Sequence, residues 1–189
     1  MFGSARNCIF YSSQPRRTSR EKNERFPVDV HKCLILGNNK LSHSDRGEWA
    51  QGWFEPRNPG KYVGKHRPRY RSGWEHSFMV FLDENDHILQ WASEAISIPY
   101  RHPLTGKQTI YVPDFFIQYR TRGNTTRAEI IEIKPKKQSI IESKMNSRDR
   151  AVVVINLAKW QAANQWCKRA GLSFRVLTEE QLFHQGKKR

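Results

Sequence analysis

YVPDFFIQYRTRGNTTRAEIIEIKPKK, Tyr111 to Lys137, sets one aspartate and one glutamate-lysine pair at matching ends of two apolar runs. Tyr111, Phe115, Phe116, Ile117 and Tyr119 form an aromatic and β-branched run, and Ile130, Ile131 and Ile133 form a second. Thr121 to Thr125, with Gly123 and Asn124, supplies the turn between them. The expectation is a β-hairpin whose loop is too long for a two-residue turn, which leaves its register open by about one residue. Pairing antiparallel about that loop brings Asp114 opposite Glu132 and Lys134. Side chains two apart leave a strand on the same side, so Glu132 and Lys134 share one face while Ile131 and Ile133 enter the other. Pro113 has no N–H for a ladder and suits a bulge or edge that turns Asp114 out of the core, and Pro135 stops the second strand.

Two carboxylates that converge on one spot repel each other unless a cation sits between them, and hard divalent ions with oxygen ligands do this; Mg²⁺ is the first candidate. The plainer alternative is a surface charge cluster on an amphipathic hairpin, and Glu-x-Lys alone carries no information at this composition. The combination is more specific. Pro-Asp opens one strand, Glu-x-Lys closes the next, and the isoleucines make the latter a buried strand in which charges need a reason.

The chain has 189 residues, room for one domain plus an arm, and its 37% hydrophobic and 12% aromatic content suffices for a core. Thirty-three basic residues against 18 acidic ones give a net charge of +15, and the mean hydropathy is −0.79. Such a surface attracts polyanions. Nucleic acid is favoured over a membrane, because no long basic amphipathic helix is present and the apolar run Val152 to Ile155 is far too short to span a bilayer. Cys8, Cys33 and Cys167 are odd in number and widely spaced, which argues against a disulfide framework or zinc knuckle and for a reducing compartment. The basic start, Arg6, Arg16, Arg17 and Arg20, faintly resembles a transit peptide but reads better as an ordinary basic arm.

Residues 1–57 read as an irregular N-terminal extension, 58–180 as the domain and 181–189 as a basic tail. Val28 to Leu36 suits one short strand, and Trp49, Trp53 and Phe54 are too many large aromatics for free solvent, so part of the arm should pack on the domain or on another protein. Asn58 to Arg71 is basic and interleaved with Tyr62 and Tyr70: cations for phosphates and rings for stacking suit a DNA-contacting loop, or equally a solvated basic loop. A helix is expected over Ser72 to Asn85, with Ser72 as N-cap and Glu75 completing a capping box. Glu75 has a second reading, as a third acid pointing at Asp114 and Glu132. Ile88 to Trp91 and Glu94 to Tyr100 read as strands, 102–106 as a turn, and Lys107 as the start of a long strand running into Asp114. Lys136 and Lys137 form a basic segment, Val152 to Ile155 is ambiguous, a helix is expected from Asn156 as N-cap to Gly171, and Ser173 to Leu177 as a last strand. The order implies an α/β fold with a mixed sheet flanked by helices.

Pro113-Asp114 and Glu132-Ile133-Lys134, preceded by a helical Glu75, resemble the PD-(D/E)xK nuclease superfamily and its restriction-endonuclease-like core. More closely, NPGKY at Asn58, YRSGWE at Tyr70, WASEAISIPY at Trp91, YVPDF at Tyr111, EIKPKKQ at Glu132 and AKWQAANQWC at Ala158 are similar to the head completion nucleases of contractile-tailed bacteriophages. The likeness covers roughly Asn58 to Thr178 and leaves out residues 1 to about 50. A looser likeness, to the end-cutting nuclease subunit of a heteromeric bacterial transposase, runs through the same core. The resemblance implies a Mg²⁺-dependent DNA endonuclease, with Mn²⁺ able to stand in, that processes the packaged DNA end or branched DNA before neck and tail attach. Asp114, Glu132 and Glu75 would hold the metal, and Lys134 would act on the attacking water and the scissile phosphate. Arg71, Lys136, Lys137 and Lys159 are candidates for DNA contacts, with plain surface charge the alternative for Arg71 and Lys159. Implied partners are DNA and the head, portal and neck proteins, in host cytoplasm and at the head-neck region of the virion. A rival class is a non-catalytic assembly protein that grips DNA or plugs a portal; a transposition or junction-resolving nuclease would keep the chemistry and change the substrate.

Overall fold

A computed structural model describes residues 50–182. Trp49, the segment Val28 to Leu36, and Cys8 and Cys33 lie outside the described residues.

The hairpin forms, as β6 (Phe115–Arg120) and β7 (Thr126–Ile133), closed by a turn in which Asn124 takes the left-handed conformation at φ 57. Phe115 pairs with Ile131 and Arg120 with Thr126, so the register puts Asp114 level with the Glu132 end of β7. Around it stand β3 (Ile88–Ser93), antiparallel to β6, and β8 (Ser173–Leu177), parallel to β7, giving a mixed sheet in the order β3-β6-β7-β8. The parallel partner requires a crossover, which α2 (Ser147–Ala170) supplies.

Each face of the sheet has its own core. On one, α1 (Gly73–Glu84) lays Phe78, Met79 and Leu82 against Trp91, Phe115, Ile131 and Ile133. On the other, Trp160 and Ala163 of α2 pack with Ile98, Tyr100, Tyr111, Phe174 and Val176. Side chains of this size contribute about 2 kcal/mol each when fully buried, so the two layers clamp β7 from both sides. A short helix, α3 (Glu179–Leu182), follows β8 and buries Leu182 with the first core.

Two small ribbons are attached. β4 (Ile98–Arg101) pairs with β5 (Gln108–Tyr111), and β1 (Gly52–Trp53) pairs with β2 (Arg69–Tyr70). Phe54 is buried and packs edge-on against Trp91, whereas Trp53 beside it is 54% exposed. Part of the arm thus packs on the domain, as its aromatics led one to expect, through Phe54 on the ring of Trp91.

Three element boundaries differ from expectation. Glu94 sits at φ 48, which breaks the extended run there, and β4 starts only at Ile98. The segment from Lys107 does not run into Asp114 as one central strand; it forms β5 of the side ribbon and stops at Tyr111, ahead of Pro113. Helix α2 starts nine residues before Asn156, whose amide is buried mid-helix and donates to the Gln138 carbonyl (3.1 Å); the N-cap is Asn146, which accepts from the Asp149 N–H at 2.8 Å. Val152 to Ile155 is helical, and the C-terminus closes on Gly171 in the left-handed conformation, φ 71, where no side chain is strained.

Candidate active site

Asp114 sits in the bend between β5 and β6, and one of its carboxylate oxygens, Oδ2, accepts the backbone N–H of Ile133 at 2.7 Å. That bond ties the aspartate to the peptide between Glu132 and Lys134. A second tie comes from the Glu94 N–H, which donates to the Asp114 carbonyl (2.9 Å). The proline before it accounts for the geometry: Pro113 offers no N–H, so the ladder lapses where the carboxylate turns aside.

Glu132 is only 3% exposed, which removes the surface-cluster alternative. Its Oε2 accepts the Tyr111 hydroxyl at 2.8 Å, and Lys134 Nζ stands 3.2 Å from Oε1. Burial pushes the Asp114 carboxyl well above its ordinary value of 3.8, the Glu132 and Glu75 charges add to this, and Lys134 and the Ile133 N–H oppose it. Burial alone would lower Lys134, but Asp114, then Glu132 and Glu75, outweigh it and hold the ammonium above its ordinary value. Burial drives the Tyr111 hydroxyl far above the usual phenol range, with Glu132 and Asp114 adding to the shift, so it donates and does not ionise.

Glu75 fulfils both of its readings in part. Its backbone N–H donates to Ser72 Oγ (3.2 Å), while its carboxylate accepts from Ser72 Oγ (3.0 Å) and the Arg71 N–H (2.8 Å). It also acts electrostatically on Asp114 and Lys134. Held by its own cap, it does not close a ligand cage: among the described residues, no three acidic, histidine or cysteine side chains are grouped as a metal site. The donor set nevertheless fits a hard divalent ion. Asp114 and Glu132 share one place with a single lysine, and burial disfavours the Asp114 charge by more than Lys134 offsets.

The contrast with Glu129, three residues earlier, is informative. Glu129 is equally buried, but on the opposite face of β7, where Tyr119 donates to Oε1 (2.8 Å) and Arg175 pairs with Oε2 (2.6 Å). An arginine pair and a tyrosine complete that site.

The other candidates separate. Lys159, half-buried on α2, places Nζ 5.7 Å from the Tyr111 ring centroid, beside the tyrosine that holds Glu132. Arg71 is 60% exposed and pairs with Glu94 (2.8 Å), directly ahead of the Glu75 cap. Lys136 is turned toward α3: its N–H donates to Glu179 and its Nζ to Glu180, both at 2.8 Å. Lys137 is exposed.

In the basic loop, the rings expected to stack are internal. Tyr62 packs edge-on against Trp91 (4.7 Å) and donates to the His66 carbonyl (2.6 Å), and Tyr70 packs against His76 (4.7 Å). Asn58 and Lys61 are likewise committed to the C-terminus of α1. Buried Asp83 accepts the N–H groups of Arg57 (2.8 Å) and Asn58 (3.2 Å), and Lys61 Nζ donates to the carbonyls of Asp83 (2.9 Å) and Asn85 (3.0 Å). Sequence reasoning missed this clasp, and it missed the Tyr111 hydroxyl. The signal for the first was an aspartate inside the apolar run of α1; for the second, a tyrosine one strand step ahead of Pro-Asp.

Two comparisons with known proteins show the family. Residues 85–179 match the family described as TnsA-like endonuclease N terminal, a span that includes Asp114, Glu132 and Lys134 and begins after Glu75. The head completion nuclease of Enterobacteria phage T4 is 32% identical over 147 residues, which cover 72% of this chain and 92% of that protein. The chain belongs to the TnsA-like endonuclease family, with its PD-(D/E)xK-like core, and is a homologue of the T4 head completion nuclease.

Proposed function

We propose that this protein is a Mg²⁺-dependent DNA endonuclease of phage head completion, which processes the packaged DNA end before neck and tail attach. The observation that carries the reading is the convergence at the end of β7: Asp114 on the Ile133 N–H at 2.7 Å, with Glu132 and Lys134 3.2 Å apart on either side of that peptide. The relative's name supports the setting, and its nearly full-length match favours head completion over transposition.

Asp114 and Glu132 would hold the metal through carboxylate oxygens, and Glu75 would join on releasing its cap. A bound Mg²⁺ supplies Lewis acidity at the scissile phosphate and makes a water acidic enough to attack at neutral pH. Tyr111 fixes Glu132 Oε2, and Lys134 lies against Oε1. Lys134 is held charged by the carboxylates, so it is a poor base. It orients the attacking water and offsets the charge that builds on the phosphate during in-line displacement. The overall surplus of positive charge holds the DNA backbone.

The test is cleavage of supercoiled, linear and branched DNA with and without Mg²⁺, beside Asp114→Asn and Lys134→Met. Metal-dependent cutting reduced about a hundredfold or more in each variant is expected. If the wild type binds these DNAs with Mg²⁺ present and cuts none, the protein is an assembly factor.

A further inference from the structure

The aromatic that the basic loop presents is neither of its tyrosines but Trp53, which lies across the ribbon from it. Trp53 pairs with Arg69 in the β1-β2 register, so the two side chains leave the ribbon on one side. The guanidinium carbons of Arg67 and Arg69 each lie 5.8 Å from the Trp53 ring centroid. Arg67 also pairs with Glu55, and Arg69 donates to Gln51 Oε1 (3.2 Å), so both forks are braced at one end. Along the stretch from Lys65 to Arg71, the cations occupy every second position and all are exposed, while Pro68 is buried and Tyr70 half-buried between them. A lone exposed tryptophan is ordinary. One with two guanidinium groups beside it, on a row of alternating cations, has the composition of a site for both parts of a nucleotide.

The platform is firmly mounted. Gly52 pairs with Tyr70, against whose hydroxyl a Cβ at that position would come within 2.5 Å, and the Phe54 N–H donates to the Pro68 carbonyl (2.9 Å). It is also close to the candidate site in the chain: β2 runs directly into Arg71, whose N–H holds the Glu75 carboxylate.

We infer that the Trp53, Arg67 and Arg69 face of the β1-β2 ribbon is a stacking platform for an unpaired or terminal DNA base, giving the protein a preference for DNA with an open end or single-stranded overhang. Trp53 takes the face of the base, and Arg67, Arg69 and Lys65 take the phosphates that flank it. In the interior of a duplex both base faces are covered, so only ends, overhangs and unpaired strands can offer one. This rests on the nuclease reading for its purpose, but not for its test.

The test is fluorescence anisotropy in EDTA, where no cutting occurs, with a single-stranded oligonucleotide, a duplex carrying a single-stranded overhang, and a dumbbell duplex closed at both ends by non-nucleotide linkers that cover the terminal pairs and leave no unpaired base. Trp53→Ala should weaken binding of the first two about tenfold and that of the closed dumbbell less than about twofold, with Trp53→Phe recovering most of the loss. Arg67→Ala with Arg69→Ala should weaken all three and lower the salt slope by about 2. The proposal is overturned if Trp53→Ala affects the dumbbell as much as the overhang. It is equally overturned if the variant changes no DNA affinity while remaining folded by circular dichroism, which would leave Trp53 to a protein partner. Metal-free binding is independent of cleavage, so failure here leaves the nuclease reading standing, and loss of that reading leaves these affinities unaffected.

Discussion

At the scale of single residues, what separates Glu132 from Glu129 is completeness. Glu129 meets an arginine and a tyrosine, whereas Glu132 meets a tyrosine and a lysine shared with Asp114. Tyr111→Phe removes the one hydroxyl on Glu132 while keeping the ring against α2. Freed to rotate, the carboxylate should bind metal more weakly, so cleavage should need about 10–100-fold more Mg²⁺. A Mg²⁺ titration of cutting rate checks this, and an unchanged midpoint would remove Tyr111 from the site. The raised Asp114 carboxyl has a consequence for stability. A proton is bound more tightly in the folded chain than in the unfolded one, so the contribution is fully present below the ordinary value of 3.8 and is lost as pH rises through the folded value. In EDTA the melting temperature of the wild type should therefore fall relative to Asp114→Asn as pH rises above about 4, and saturating Mg²⁺ should restore the wild type alone. A gap that stays constant with pH would mean that Asp114 is not strained by its neighbours. Asp114, Glu132 and Lys134 were legible in the sequence because period-two alternation and two prolines fix where a hairpin's charges emerge. Tyr111 was not, since a buried tyrosine in an apolar run looks the same whether or not its hydroxyl has a partner.

Elements repeat the lesson with different physics. Helix α1 was readable from its cap, Ser72 with Glu75, and from its apolar spacing. Helix α2 was shortened in the reading because Val152 to Ile155 is β-branched, which locally favours a strand. Its actual inner stripe, Val153, Asn156, Trp160, Ala163 and Cys167, hides a polar residue among the apolar ones, and the true cap is Asn146 with Asp149. The clasp on α1 is the least legible part, because it depends on Arg57 and Asn58 meeting Asp83 across some 25 residues of chain. Removing it tests whether the NPGKY motif acts through the fold. Asp83→Ala takes the carboxylate acceptor away from the Arg57 and Asn58 N–H groups, which lie on exposed residues, and should destabilise the protein by about 2 kcal/mol. Lys61→Met should cost about 1 kcal/mol, through the lost bonds to the last carbonyls of α1. Urea unfolding with an unchanged slope would measure both. An Asp83→Ala loss under about 0.5 kcal/mol would return the motif to a surface role, since substitutions away from any structural feature stay within that range.

For the whole molecule, charge and topology act on separate matters. The mixed sheet places the two carboxylates at one end of the central hairpin, and among the described residues no helix is long and apolar enough to cross a membrane. The surplus of 15 positive charges was legible from composition alone, but not its distribution, because which cations are spent internally is decided by folding. Lys61 is spent on the last carbonyls of α1 and Lys136 on Glu179 and Glu180, while Lys65, Arg67, Arg69 and Arg71 stand on an exposed row, Arg67 and Arg71 pairing there with Glu55 and Glu94. Binding to DNA should thus be driven by counterion release. If about six phosphates are neutralised, the logarithm of affinity falls with the logarithm of salt at a slope near −5, a loss of about a thousandfold between 50 and 200 mM. The same argument predicts cutting with no defined recognition sequence, because contacts to phosphates position the protein and carry no sequence information. Mapping cut sites on a linear DNA should give positions grouped by distance from an end or a branch. A single recovered recognition sequence, together with a salt slope shallower than about −2, would mean that base contacts rather than phosphate charge hold the DNA.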